Sequence, residues 1–391
     1  METKAAKAAS GNAKATNDQE MNNWSAYKKA QVRCKQHPVE DIHNLPGLVD
    51  ICCYNDDDDR ISRIPPPPPT NHCQQQNDCQ YYQGPMFGLK DYPGFLMFPQ
   101  AISKELQLQL AYAAVTEYCE SPHATNIDLV PPKPSEVENG VHETLWNLWK
   151  SDNRFLPATN INSSNTKAIK KYYKTFKKLS WATMGYQYDW TARTYHEGAK
   201  SPMPAMLGDL ATFFARTSLA LSLANNKDTN NKDTATTTTT TSTKFTPSAS
   251  IVNYYTTKSV MGGHRDDLEY ALDKPVVSIS MGLAAIFLLG GNTKEDTPVL
   301  PILVRPGDVI ILGGSSRLNY HGMAKMIPYP QTLSLLPRLE QTLPITCNKD
   351  SSHSPPAVIE MEENDPEALE SFLQSHRINI NVRQVHKDGN H

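Results

Sequence analysis

The chain has 391 residues, 39% of them hydrophobic, with a formal charge of −3 and seven cysteines. That charge excludes a global pull toward nucleic acid or anionic membrane, so such contacts must be local. The odd, scattered cysteines exclude a paired disulfide framework, and no run approaches the ~18 apolar residues of a membrane span. Free thiols in a soluble, intracellular protein are therefore expected, with nucleus, cytoplasm and mitochondrion all open.

Residues 1–85 read as mostly disordered and of low complexity. They hold an acidic run from Asp56 to Asp59, five prolines from Pro65 to Pro69, and a Gln/Asn-rich patch at 74–77. Such composition buries too little apolar surface to offset chain entropy. A short helix at 23–34 either forms transiently or docks on the core. Ordered sequence starts near residue 92, where PGFLMF predicts a strand. Ser103 is placed to cap a following helix whose leucines and alanines keep a helical stripe.

Further helices are predicted at 141–150 and 207–224. The span 86–224 therefore reads as N-terminal helices. Residues 225–248, where an NNKDT repeat passes into a threonine run, read as a disordered Thr/Asn-rich inserted loop.

From 249 to 391 the character is β-rich. SIVNYYTT, PVVSISMGLAAIFLLGG, PVLPILVRPGDVIILGG and RININVRQV are short apolar runs divided by Gly, Pro and Asn/Asp turns. The pattern predicts a sandwich or barrel-like core. RPGD (305–308) reads as a hairpin turn. A helix at 366–375 is expected, with Asp365 as its cap and Pro366 at its first position.

Within this region MGGHRDD (261–267) carries an H-x-D pair, His264 and Asp266. On a strand both side chains share a face, because orientation alternates with period two. The preceding glycines allow a tight backbone bend. A lone H-x-D is more often an ordinary polar loop. A third ligand, however, would complete a two-His, one-carboxylate set suited to divalent iron, and His321 follows strand VIILGG at SSRLNYHG.

The most informative strand is 377-RININVRQ-384. Its odd positions are Arg377, Asn379, Asn381 and Arg383; its even ones are Ile378, Ile380 and Val382. Two guanidiniums on one acid-free face suit a small dicarboxylate, which a planar fork grips bidentately. Asn253 and Tyr255 form a similar face. A dicarboxylate beside such a metal indicates 2-oxoglutarate.

N-x-Y, H-x-D, a distal His and a closing R-x-N-x-x-x-R together resemble the AlkB family of iron/2-oxoglutarate dioxygenases. LSWATMGYQYDW, SPMPAMLGDL and GDVIILGGSSRLNYHG are similar to its eukaryotic AlkB homologue 1 branch, over roughly residues 92–385. The resemblance implies an α+β fold with a double-stranded β-helix (jelly-roll, cupin-like) core, and it assigns a substrate-recognition lid to a segment within 86–224. It implies His264, Asp266 and His321 as Fe(II) ligands, with 2-oxoglutarate and O₂ as co-substrates. Arg377 would pair with the distal carboxylate, assisted by Tyr255 and Asn379, and Arg383 and Asn253 would serve the chelating end. Arginine at the x of H-x-D and Asn381, where threonine is usual, depart from the family pattern.

The implied activity is oxidative demethylation or hydroxylation of methylated bases in tRNA or DNA, of the N1-methyladenine or N6-methyladenine class. The expected partner is methylated nucleic acid, not membrane, and the enzyme is expected to be monomeric. Residues 167-KAIKKYYKTFKK-178 offer Lys170, Lys171 and Lys174 to phosphates, with aromatics between them to stack bases. Trp181, Tyr186 and Tyr188 are candidates for holding a flipped base, with Arg265 at the mouth. A protein side-chain hydroxylase and a non-catalytic, metal-stabilised binding module are the competing readings.

Overall fold

The computed structural model describes residues 23–53, 58–65, 82, 84–127, 144–153, 177–189, 191–229, 243–335 and 360–388. The Gln/Asn-rich patch, most of the proline and threonine runs, and Lys170, Lys171 and Lys174 lie outside them. No helix among the described residues is long and apolar enough to cross a membrane.

Two antiparallel sheets face each other. The larger is built from β1 (Ile61–Ile64), β2 (Met86–Leu89), β3 (Tyr92–Phe98), β4 (Ala124–Thr125), β5 (Trp181–Asp189), β6 (Thr194–Lys200) and β7 (Ala249–Thr256), with β9 (Val276–Gly282), β12 (Val309–Leu312) and β14 (His376–Arg383). Its order is β1-β2-β3-β12-β9-β14-β7-β5-β4, with β6 paired to β5. The smaller sheet contains β8 (Met261–His264), β10 (Ala285–Leu289), β11 (Leu300–Val304) and β13 (His321–Met326), in the order β11-β10-β13-β8. This is the jelly-roll core of an α+β protein.

Period-two alternation divides the core into layers. Phe95, Met97 and Ile310 meet Leu289, Ile302 and Val304 between the sheets. On the outer side of the large sheet, Ile378, Ile380 and Val382 of β14 are fully buried with Leu110, Phe214 and Phe372. Those three come from helices α2 (Lys104–Thr116), α4 (Ala205–Thr229) and α6 (Asp365–Ser375); α3 is Leu145–Asp152 and α5 Gln331–Ser334. Each such aliphatic side chain contributes about 1.5–3 kcal/mol when fully buried.

Ser103 caps α2 as expected, accepting from the Leu106 amide. Other expectations need correction. Residues 23–53 and 58–65 are not disordered: α1 (Ala26–Gln36) buries Tyr27, Ala30 and Cys34 against Ile286, Leu288 and Leu303, and β1 extends the large sheet. Low overall hydropathy there concealed a few well-placed apolar positions.

The 86–224 span supplies five strands as well as helices, since a β-sandwich closes only when its large sheet is covered and continued. Helix α4 runs five residues past 224, and Phe245 and Ser248 are buried, so the inserted loop is shorter than 225–248. RPGD is not a hairpin turn. It carries the chain from β11 in one sheet to β12 in the other, with Gly307 at φ +85.

Asp365 is the first residue of α6 rather than its cap, and Pro366 is second. Its carboxylate accepts from Tyr112, Trp146 Nε1 (2.9 Å) and Lys150 Nζ (2.6 Å), joining α2, α3 and α6. Burial would raise its pKa, but these donors outweigh burial and hold it low. Asp365→Ala should therefore cost about 3 kcal/mol in urea unfolding, because it leaves Tyr112 and Trp146 Nε1 without their acceptor and Lys150 with only Glu362 (2.9 Å).

Candidate metal and dicarboxylate site

His264 ends β8 and His321 begins β13, and the two are register partners across the small sheet. Their rings are 4.5 Å apart between centroids. Asp266 lies just past β8, in the loop rather than on the strand, so period two alone does not place it. Each histidine Nε2 is 4.0 Å from an Asp266 carboxylate oxygen. The three ligand atoms all lie within 4.8 Å of one another, the one metal-capable cluster among the described residues.

Both imidazoles are oriented in the same way. His264 Nδ1–H donates to the Gly262 carbonyl and His321 Nδ1–H to that of Asn319, each at 3.0 Å. This fixes the tautomer and leaves each Nε2 lone pair toward Asp266. Two neutral imidazoles and a carboxylate are the donor set that a divalent iron takes in a facial triad, so the residues fit that ion.

A charged network supports Asp266. Arg383 sets Nε (3.1 Å) and Nη2 (2.7 Å) on Oδ2, and its Nε is also 3.3 Å from Glu269. Arg317 Nη2 donates to Glu269 at 2.9 Å, its Nη1 donates to the Asp266 backbone carbonyl, and Tyr195 Oη donates to Glu269 at 2.7 Å. Burial would raise the Asp266 pKa, yet the Arg383 guanidinium holds it far below the carboxylate range. Burial opposes charge on Arg383, but Asp266, Tyr195 and Glu269 keep it protonated. Burial, and then His264, lower His321 to about 4.

The triad opens into a cavity of about 520 Å³ including its mouth. Tyr255, Arg377, Asn379, Asn381 and Arg383 line it. The odd face of β14 therefore points between the sheets, not to solvent. Arg377 is fully buried; its Nη1 donates to Leu283 O (2.9 Å) and its Nη2 to Ser280 Oγ (2.6 Å). No acid lies within ion-pair distance of it among the described residues, and burial lowers its pKa to about 10. Arg377 Nε and Arg383 Nη1 are buried without hydrogen-bond partners. Two orphaned guanidinium donors in one cavity are a fitting receptor for a dicarboxylate, since such groups are costly to leave unmade.

Not every predicted site residue reaches this cavity. Asn253 is buried opposite Asn379 in the sheet, but it does not line the cavity. Trp181 pairs with Asn253 on β5 and is also outside. Tyr186 packs on His386 and beneath Lys200 Nζ (4.5 Å), lining a separate cavity of about 420 Å³ with Lys244 and Lys387. Tyr188 stacks edge-on against Tyr195. These aromatics thus do not form one pocket beside the metal ligands.

Arg265 does not line the cavity and lies over the Tyr320 ring at 5.3 Å, with Asp267 3.3 Å away. Gly262 and Gly263 have no positive φ, but the two of them face Gly322 alone, so the glycines of MGGH lie at the register irregularity between β8 and β13. Sequence reasoning missed Arg317, Glu269 and Tyr195. Arg317 and Glu269 were visible only as charges close to the ligand motifs, in SSRLNYHG and HRDDLEY.

A family model described as the 2OG-Fe(II) oxygenase superfamily matches residues 142–383, and the chain belongs to that superfamily. Within it the chain belongs to the AlkB family, on the branch that includes ALKBH1. It is 29% identical to "Nucleic acid dioxygenase ALKBH1" of Homo sapiens, over 76% of this chain and 66% of the human protein. It is also 29% identical to "DNA N(6)-methyladenine demethylase ALKBH1A" of Arabidopsis thaliana, over 77% of this chain and 78% of that one. Similarity to "tRNA demethylase abh1" of Schizosaccharomyces pombe is 26%, over 77% and 82%.

A pH dependence follows from His321. Its folded-state pKa of about 4 lies below the ordinary 6.5, so the unfolded chain binds more protons between these values. The stability due to the neutral ring is complete above pH 6.5 and is lost as pH falls toward 4. In chelator-treated protein, wild type should lose roughly 2–3 kcal/mol more than His321→Gln between pH 7 and pH 4, measured by urea unfolding.

Proposed function

We propose that this chain is an Fe(II)/2-oxoglutarate-dependent dioxygenase that oxidatively demethylates or hydroxylates methylated bases in nucleic acid. Its substrates are of the tRNA N1-methyladenine or DNA N6-methyladenine class. The observation that carries the reading is one cavity holding both the His264–Asp266–His321 cluster and two buried arginines with orphaned donors. The named activities of the three relatives supply the substrate class.

When bound, iron and 2-oxoglutarate supply insertion of one O₂ oxygen into a methyl C–H bond, while the other enters succinate and CO₂ leaves. A methyl group on nitrogen then becomes a hydroxymethyl, which breaks down to formaldehyde and the unmodified base. The chain's own residues prepare that chemistry. His264 and His321 turn their Nε2 atoms toward Asp266, their Nδ1–H groups held by backbone carbonyls, and Arg383 holds Asp266 ionised through Oδ2. Arg377 binds the far carboxylate of the co-substrate through a desolvated fork, assisted by Tyr255 and Asn379. Phe287, Ile310, Leu312 and Met323 wall the cavity with apolar surface, which keeps water from the reacting groups.

Arg377→Met should weaken 2-oxoglutarate binding by about 100-fold, read by calorimetry, with Arg377→Lys giving little rescue because an ammonium lacks the fork. Unchanged affinity in Arg377→Met would remove the dicarboxylate assignment. Mass spectrometry of nucleosides from tRNA and genomic DNA, treated with wild type or His264→Ala, tests the substrate class. Loss of a methylated adenine with wild type alone is expected; identical nucleosides in both pools would sink the reading. Lys170, Lys171 and Lys174 changed together to Glu should abolish nucleic-acid turnover yet spare uncoupled 2-oxoglutarate decay. A protein-directed hydroxylase would be indifferent to that change.

A further inference from the structure

The strand that carries His264 is poorly secured by its own sheet. β8 is four residues long, lies at the edge, and meets β13 through two register pairs with an irregularity between them. A ligand on such a strand needs support from elsewhere, because short edge ladders are the readiest part of a sheet to move.

That support comes from Tyr27, on the helix at the start of the described chain. The side chain is 2% exposed and lies on the outer face of the small sheet, opposite the cavity. Three glycines form its seat. A Cβ at Gly263 would fall 2.5 Å from Tyr27 Cε1; one at Gly290, 3.0 Å from Cδ2; one at Gly322, 2.9 Å from Oη. Gly263 immediately precedes His264, Gly322 immediately follows His321, and Gly290 follows Leu289, the register partner of His321 on β10. The ring therefore rests on bare backbone of all three strands that converge at the histidine pair.

Polar contacts fix the ring in this seat. Tyr27 Oη donates to Leu288 O (3.4 Å), the Tyr27 amide to Lys294 O (2.9 Å), and Gln31 Nε2 to Met261 O on β8 (3.4 Å). We infer that Tyr27 is a positioning residue for the metal site, locking the β8 and β13 backbones so that the Nε2 atoms of His264 and His321 hold their spacing. On this account the glycine before His264 serves a packing contact rather than a turn. The inference rests on the metal reading of the triad.

Mn(II) affinity of the full-length protein, from the electron paramagnetic resonance signal of free Mn(II), tests it alongside thermal melting. Tyr27→Ala should weaken Mn(II) by about tenfold or more, the scale at which supporting residues act on metal sites, while Tyr27→Phe, which keeps the ring on the glycines and loses only the long contact to Leu288 O, should weaken it far less. Gly263→Ala alone should weaken binding similarly, since its methyl displaces the ring. In the Tyr27→Ala background the same methyl should cost nothing further, giving a strongly non-additive cycle.

If Tyr27→Ala does not fold, Tyr27→Leu carries the same expectation. Folded Tyr27→Ala or Tyr27→Leu with wild-type Mn(II) affinity would overturn the inference, as would effects of Tyr27→Ala and Gly263→Ala that simply add. Wild type that binds no Mn(II) would instead remove the metal reading itself. A purely structural tyrosine would lower the melting temperature and leave the Mn(II) dissociation constant where it was.

Discussion

The buried ion pair between Asp266 and Arg383 is the constraint around which the site is built. A carboxylate placed between two imidazoles inside a sandwich would take up a proton unless a cation stayed beside it. Arg383 is that cation, and β14 can deliver it only because the strand lies in the middle of the large sheet, between β9 and β7. Removing two charges from water is costly, so the pair needs further partners. Glu269, Arg317 and Tyr195 provide them, and each comes from a different part of the chain.

Arg377 presents the opposite situation at the other end of the same strand. It is as deeply buried, but no carboxylate among the described residues answers it. One arginine is thus paired with protein carboxylates through Nε and Nη2, with only Nη1 left over, while the other keeps its whole charge for a ligand. The contrast separates a structural cation from a receptor, and it lies within seven residues of one β-strand. The apolar layers on both faces of the large sheet supply the stability that this polar interior withholds.

Much of this was legible before any coordinates. The R-x-N-x-N-x-R alternation fixed which residues of β14 share a face, and Ile378, Ile380 and Val382 had to be core. Ser103 was identifiable as a cap because a cap depends on spacing within one segment, whereas His264, Asp266 and His321 came together as a donor set only through the family resemblance. The role of RPGD was misread, since a glycine turn looks the same whether it joins strands of one sheet or of two. The helix at 23–34 was legible, and it docks through Tyr27, Ala30 and Cys34; the order of residues 35–53 and 58–65 was not, because average composition hides a few well-placed apolar positions.

By itself, then, the sequence determined periodicity, donor chemistry and family resemblance: which side chains could ligate, pair or pack. Tertiary structure alone decided which distant charges meet. Glu269 and Arg317 are 48 residues apart, and Tyr27 lies 236 residues before Gly263 (263 − 27). Those contacts follow from sheet order and strand register, which are set by the folding of the whole chain. In MGGHRDD, local spacing offered only a histidine and an aspartate, and His321 with the arginines of β14 gave them weight. Only the packed fold showed that the glycine before them makes room for a tyrosine.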